Sequence, residues 1–157
     1  MPRLFTAIEI PDEIRDELHR LRLPLPGARW ISPENYHITL RFAGDIDNAK
    51  AREFIANLAS IDVDGFELRI TGLGAFGGDD PHSIWAGIEP NAKLDDLARA
   101  HEKAARNAGL APETRTFRPH VTLARLKHSN AEAVARFLSR YGGYRSEPFF
   151  VTRTLLM

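Results

Sequence analysis

Cysteine is absent from the 157 residues. That excludes disulfides, thiolate zinc sites, iron–sulfur ligation and thiol nucleophiles together, and it fits a reducing, cytoplasmic compartment. No apolar run approaches the length of a bilayer span, so no membrane partner is expected. The opening Met1–Ile10 segment meets Glu9 too early for a secretory leader and reads as a first strand. An excess of one charge is missing as well. The chain carries 21 basic and 21 acidic residues and a formal net charge of zero, which rules out the broad basic surface of a protein that coats long nucleic acid. The glycine-rich run from Gly72 to Pro81 does not fit G-x-G-x-x-G and no helix start follows it. It reads as a strand end and hairpin loop, not as a nucleotide cradle.

What the chain does contain is one four-residue pattern written twice: His37-Ile38-Thr39-Leu40 and His120-Val121-Thr122-Leu123. With six His, eight Thr and 43% hydrophobic residues, chance would supply about 0.06 such tetrads. A lone strand histidine is more often structural than catalytic; the repetition reverses that expectation. Strand side chains alternate between faces. His37 and Thr39 therefore point one way and Ile38, Leu40 and Phe42 the other. His120 and Thr122, against Val121 and Leu123, repeat the arrangement. Two such strands facing one cleft would offer two imidazoles and two hydroxyls to a single substrate.

The remaining punctuation is that of alternating strands and helices. A strand over 3–10 leads through Pro11-Asp12-Glu13 into a helix with Ile14, Leu18 and Leu21 on one side. A short extended piece at Arg29–Ile31 precedes the first His/Thr strand, about 36–43, and a helix over about 47–59. Strands follow at 66–70 and 83–88. Asn91 caps a helix that Gly109 stops. The second His/Thr strand, about 119–126, precedes a helix capped by Asn130, and 149–156 reads as a last strand. Each half carries one tetrad. The expected fold is α+β: one bilobal domain over 1–157, two pseudo-symmetric halves, largely antiparallel sheets flanked by helices, and a central cleft. Alternating elements alone would also permit parallel pairing.

Imidazole, with an unperturbed pKa of about 6.5, gives or takes a proton near neutrality, and two of them can divide the roles of acid and base. Threonine hydroxyls suit non-bridging phosphate oxygens, and arginine stabilises charge there. Arg29 and Arg41 flank the first tetrad; Arg115, Arg118 and Arg125 flank the second. Thr39 and Thr122 are thus candidate phosphate ligands, and Arg41, Phe42, Arg118 and Arg125 candidate substrate contacts. Neither a metal nor another cofactor is expected. No third metal ligand joins the two histidines, since Asp45 and Asp47 lie beyond the strand. A nucleophile-elbow motif is missing too. His19 and His101 read as helix residues, His128 as a loop residue, and His82 as part of the glycine-rich loop. Tyr36, Phe42 and Phe76 could stack on a base, although core packing is the commoner fate of such side chains.

Several longer motifs carry a resemblance. Arg3-Leu4-Phe5-Thr6-Ala7-Ile8, Arg29-Trp30, Pro33 through Phe42, Leu73–Phe76 with Trp85-Ala86-Gly87, and Phe117 through Arg125 together are similar to the two-histidine (2H) phosphoesterases. The likeness is strongest to the bacterial and archaeal RNA 2′,3′-cyclic phosphodiesterases, also called 2′-5′ RNA ligases. The resemblance implies a bilobal fold, a metal-independent opening of RNA 2′,3′-cyclic phosphates to 2′-phosphates, and a monomeric enzyme. It casts His37 as proton donor to the leaving 3′ oxygen and His120 as the acceptor that activates water; the residues themselves leave that assignment open. The expected partner is an RNA bearing a 2′,3′-cyclic end, or a small cyclic nucleotide. Members of the family usually continue past the strand equivalent to Phe149–Leu156 with a glycine-containing loop and another strand. Two other readings compete: a non-catalytic RNA-end or cyclic-nucleotide binding module on the same scaffold, and an interaction protein with both histidines buried.

Overall fold

Three helices begin where a side-chain oxygen can take up their first free N–H groups. A computed structural model describes residues 3–157; Met1 and Pro2, at the head of the opening segment, lie outside the described part. Helix α2 (Asn48–Ala59) is capped by Asp47, which accepts from the Lys50 N–H. Helix α3 (Ala92–Asn107) is capped by Asn91 through the Leu94 N–H, and α4 (Ala131–Tyr141) by Asn130 through the Glu132 and Ala133 N–H groups. Helix α1 (Asp12–Arg20) follows Pro11 and buries Ile14 and Leu18.

The strands are β1 (Arg3–Glu9), β2 (Ala28–Trp30), β3 (His37–Asp45), β4 (Phe66–Leu68), β5 (Ile70–Phe76), β6 (Ser83–Ile88), β7 (His120–Leu126), β8 (Phe149–Val151) and β9 (Leu155–Leu156). Every described pairing among them is antiparallel, which resolves the alternative left open by element order. The main sheet runs β5-β6-β7-β3-β1-β9, with β2 alongside β7. Read outward from its centre, the sheet repeats itself: each His/Thr strand pairs with a neighbour that pairs with a third. β3 and β7 meet at the seam through the register pair Ile38↔Val121.

The helices do not stay with their own halves. α3 follows β6, yet packs beneath β1 and β3: His101 meets Thr6, Glu102 meets Arg41, and Ala104 and Ala105 join Phe54 of α2 in one apolar cluster. α1 follows β1, yet its Glu17 accepts from the Tyr144 hydroxyl, and the Tyr144 carbonyl takes the Gly72 N–H of β5. A larger core joins Ile38 and Leu40 to Ile84, Val121, Leu123, Val134 and Phe137.

Two expectations change. The strand expected over 66–70 is divided: β4 leaves the main sheet to pair with β8 in a separate two-stranded ribbon, while β5 pairs with β6. The last strand, expected over 149–156, is divided in the same way, because β8 joins β4 and β9 joins β1. The glycine-rich run is, as expected, a strand end and a hairpin loop: β5 extends to Phe76 and the turn to β6 follows. Gly74 belongs there because a Cβ would stand 2.4 Å from the Trp85 ring.

Candidate active site

Directly opposed residues of paired strands share a face. Because Ile38 opposes Val121 and both are buried, His37 comes alongside Thr122 and Thr39 alongside His120 on the other face. The four side chains form a rectangle across the seam. Its histidines occupy one diagonal, for which ordinary sheet spacing separates the two residues by about 7–8 Å, with their Cβ atoms somewhat closer. The charge of His120 is felt at His37.

Both imidazoles are held the same way. His37 Nδ1 lies 2.7 Å from the Asn35 carbonyl, and His120 Nδ1 lies 2.6 Å from the Arg118 carbonyl. A carbonyl only accepts, so each Nδ1 carries the proton and donates it. Each Nε2 is then left for chemistry: a lone pair when the ring is neutral, a donor when it is charged. The ring of Phe5 lies 5.0 Å from that of His37. Phe76 meets His120 edge-on at 5.2 Å, and Trp85 stands at 6.4 Å. Burial lowers the His37 pKa from its ordinary 6.5; the bond to Asn35 opposes the shift, and the charges of His120 and Arg125 add to it. Glu9 stands opposite His37 in the β1–β3 register, and its carboxylate is paired with Arg153 at 3.2 Å.

Simple alternation fails after each tetrad, for one reason. In β3, Ala7 opposes Thr39 and Thr6 opposes Arg41, so Leu40 is an extra residue. In β7, Trp85 opposes Thr122 and Ile84 opposes Ala124, so Leu123 is extra. A bulge of this kind shifts the following side chains to the other face. Both bulges fall on the fourth position of the tetrad. Phe42, expected on the core face, therefore lies on the His/Thr face beside Phe5, 38% exposed and with the Arg3 guanidinium 5.6 Å from its ring centre. Arg125 reaches the His/Thr face at the matching position and is exposed.

Arg41 is a correction. Its place beside the tetrad suggests a substrate contact, but the bulge turns it into the interior, where it is 7% exposed. Its guanidinium contacts both Glu102 oxygens and donates to the Phe42 and Ala111 carbonyls at 2.6 Å each. Arg118 is exposed, and its contribution at the site is the carbonyl that orients His120. Tyr36 is buried in the core. Asp47 serves as a helix cap. His101 is buried, which lowers its pKa to about 4. Its Nδ1 lies 2.9 Å from Thr6 Oγ1, and that oxygen accepts the Arg41 N–H at 3.1 Å. The Thr6 hydroxyl thus fastens the bulged strand to α3.

Phe5 and Trp85 are site residues that the sequence pattern does not mark as such, although both stand in segments that carry the family resemblance. Only strand register shows that Trp85 opposes Thr122. Its indole lies over Gly74, so a Gly74→Ala substitution should tilt it and destabilise the fold by about 1–3 kcal/mol through overpacking. A shifted tryptophan emission together with a lower melting temperature would show this; an unchanged spectrum would mean that the ring is not seated there.

The halves also repeat in sequence. The profile of the LigT-like phosphoesterases matches residues 8–85 and again 87–156. The chain belongs to the LigT-like phosphoesterase family. Among its relatives in that family, the RNA 2′,3′-cyclic phosphodiesterase of Aeropyrum pernix is 36% identical over 132 residues, covering 82% of this chain and 73% of that protein. The RNA 2′,3′-cyclic phosphodiesterase of Aquifex aeolicus is 33% identical over 138 residues, covering 85% and 71%. Escherichia coli LigT, in its crystal structure complexed with 3′-AMP, superposes with a TM-score of 0.79 at 26% identity, covering 98% of this chain and 86% of that one. These LigT-like folds confirm the α+β, two-halved architecture. Among the described residues no helix is long and apolar enough to cross a membrane.

Proposed function

We propose that this LigT-like phosphoesterase hydrolyses RNA 2′,3′-cyclic phosphate ends to 2′-phosphomonoesters, with His37 as acid and His120 as base and without a metal. The observation that supports this most is the matched pair of imidazoles, each with Nδ1 tied to a carbonyl two residues earlier and Nε2 left free. The relatives named RNA 2′,3′-cyclic phosphodiesterase supply the substrate class.

In this reaction His120 Nε2 takes a proton from water as the water oxygen bonds to phosphorus. The bond from phosphorus to the 3′ oxygen breaks, and that oxygen takes the proton from His37 Nε2. The 2′ oxygen keeps the phosphate. Solvent then returns a proton to His37 and removes one from His120. Thr39 and Thr122 donate to the non-bridging oxygens and stabilise the charge on them. Phe42 offers its exposed ring to the terminal base. An RNA 5′-hydroxyl in place of water would give a 2′-5′ linkage by the same proton transfers.

The direct test is an oligonucleotide with a 2′,3′-cyclic end, incubated with chelator. A 2′-phosphate product is expected. Tight binding without product would instead identify a binding module, and dependence on added metal would overturn the mechanism. The pH profile assigns the two roles. A His37 pKa held below its ordinary value means that the protonated donor is lost at lower pH than from an unshifted histidine in the free enzyme, so the limb of kcat/KM that reports the donor should be displaced toward acid. Arg125→Gln removes a cation that disfavours the imidazolium, so the His37 pKa rises. The alkaline limb should move to higher pH even as the rate falls. If the acid limb moves instead, His37 is the base.

A further inference from the structure

Strand β2 lies against the second half of β7 with Ala28 opposite Leu126, Arg29 opposite Arg125, and Trp30 opposite Ala124. Trp30 packs on Phe137 of α4, ring to ring at 5.6 Å, which places it on the core side. Arg29 is its neighbour in the strand and is exposed, so it shares the His/Thr face with Arg125. Two like charges thus stand directly across a strand pair, an arrangement that destabilises a sheet. Among the described residues neither arginine is in a salt bridge. In a chain of zero net charge with seven described ion pairs, leaving this pair without a carboxylate concentrates positive potential at one spot of the cleft wall.

The position of the pair indicates what it would hold. Arg125 stands three residues beyond Thr122, one of them the bulged Leu123. At strand rise this is about 7–10 Å along β7, too far for both arginines to share the phosphate held by the rectangle and about right for the next phosphate of the same chain. Two guanidinium forks facing one another suit a phosphodiester anion.

We propose that Arg29, together with Arg125, forms a second anion subsite that takes the phosphodiester joining the terminal nucleotide to the one before it. The preferred substrate is then an RNA chain of at least two nucleotides, not a lone 2′,3′-cyclic mononucleotide. The inference deepens the function proposed above and rests on it. Phosphate contacts of this kind set the register of the strand without reading its sequence.

The experiment compares three compounds: a 2′,3′-cyclic mononucleotide, a dinucleotide with the same cyclic end, and that dinucleotide with an uncharged methylphosphonate linkage. For the wild-type protein, kcat/KM should be about tenfold higher with the charged dinucleotide than with either of the others. Arg29→Gln should lose most of that advantage while changing mononucleotide turnover less than twofold, and it should add no loss with the methylphosphonate. Arg29→Lys should keep part of the advantage. Arg29→Gln should also melt no lower than the wild type, since it relieves a like-charge pair. Equal losses on all three compounds, or no loss on any, would overturn the subsite. If the wild type turns over none of them, the cyclic phosphodiesterase reading fails separately. The subsite is then judged by the affinities of the 3′-phosphorylated dinucleotide and mononucleotide for wild type and Arg29→Gln, where equal affinities would overturn it.

Discussion

Replacing His37 or His120 with alanine is expected to lower turnover of a 2′,3′-cyclic RNA end by about 10²–10⁴-fold each, the usual range for a lost acid or base. The double variant should be little worse than the poorer single one, because acid and base act in the same step. Folding should survive. Each ring is partly exposed, and its recorded hydrogen bond goes to a nearby carbonyl in the same segment. Circular dichroism and melting curves would establish that the loss is chemical. Thr39→Val and Thr122→Val should each fall by a smaller factor, at most about 10²–10³-fold, as expected for removing one donor to the developing charge. Near-normal turnover in either histidine variant would end the two-histidine mechanism.

The largest effect on stability is expected from Glu102→Ala. Glu102 faces Arg41 across 3.2 Å, and Arg41 is 7% exposed. The carboxylate also accepts the Glu113 N–H at 3.3 Å. Removing it would leave a guanidinium inside the protein with only two carbonyls beside it, a loss of about 3–5 kcal/mol. Urea unfolding would show a lower midpoint with little change in slope. Asp96→Ala, on the same helix, breaks a pair whose members are 69% and 72% exposed, and it should move stability by less than about 0.5 kcal/mol. If the two variants unfold together, Arg41 is hydrated in solution and the buried pair is not the anchor of β3.

Periodicity carries only what residues close together in the chain determine. The tetrads, the Asn91 and Asn130 caps and the helices were readable because each depends on residues close together in the chain. The turn of Arg41 into the interior was not. It depends on one extra residue at Leu40, which leaves no mark in the local pattern, and on a partner 61 residues away. The same bulge brought Phe42 out, against simple alternation. Trp85 became a site residue only when register set it opposite Thr122, and Arg29 gained meaning only when β2 was found beside β7. The division of the expected strand at 149–156 had the same origin: two short pieces of one apolar run pair with strands far apart in sequence.

The crossing of α3 beneath β1 and β3 has a consequence for the origin of the repeat. A polypeptide corresponding to one half would lack the roof for its own sheet: Thr6, Arg41 and Phe54 would lose His101, Glu102 and Ala105. Such an ancestor would gain a closed interior by lending its helix to an identical molecule and borrowing one in return. Fusion of two such molecules would have turned a reciprocal exchange into a single folded chain, and cutting the chain between β6 and α3 should yield fragments that are soluble together and aggregate apart.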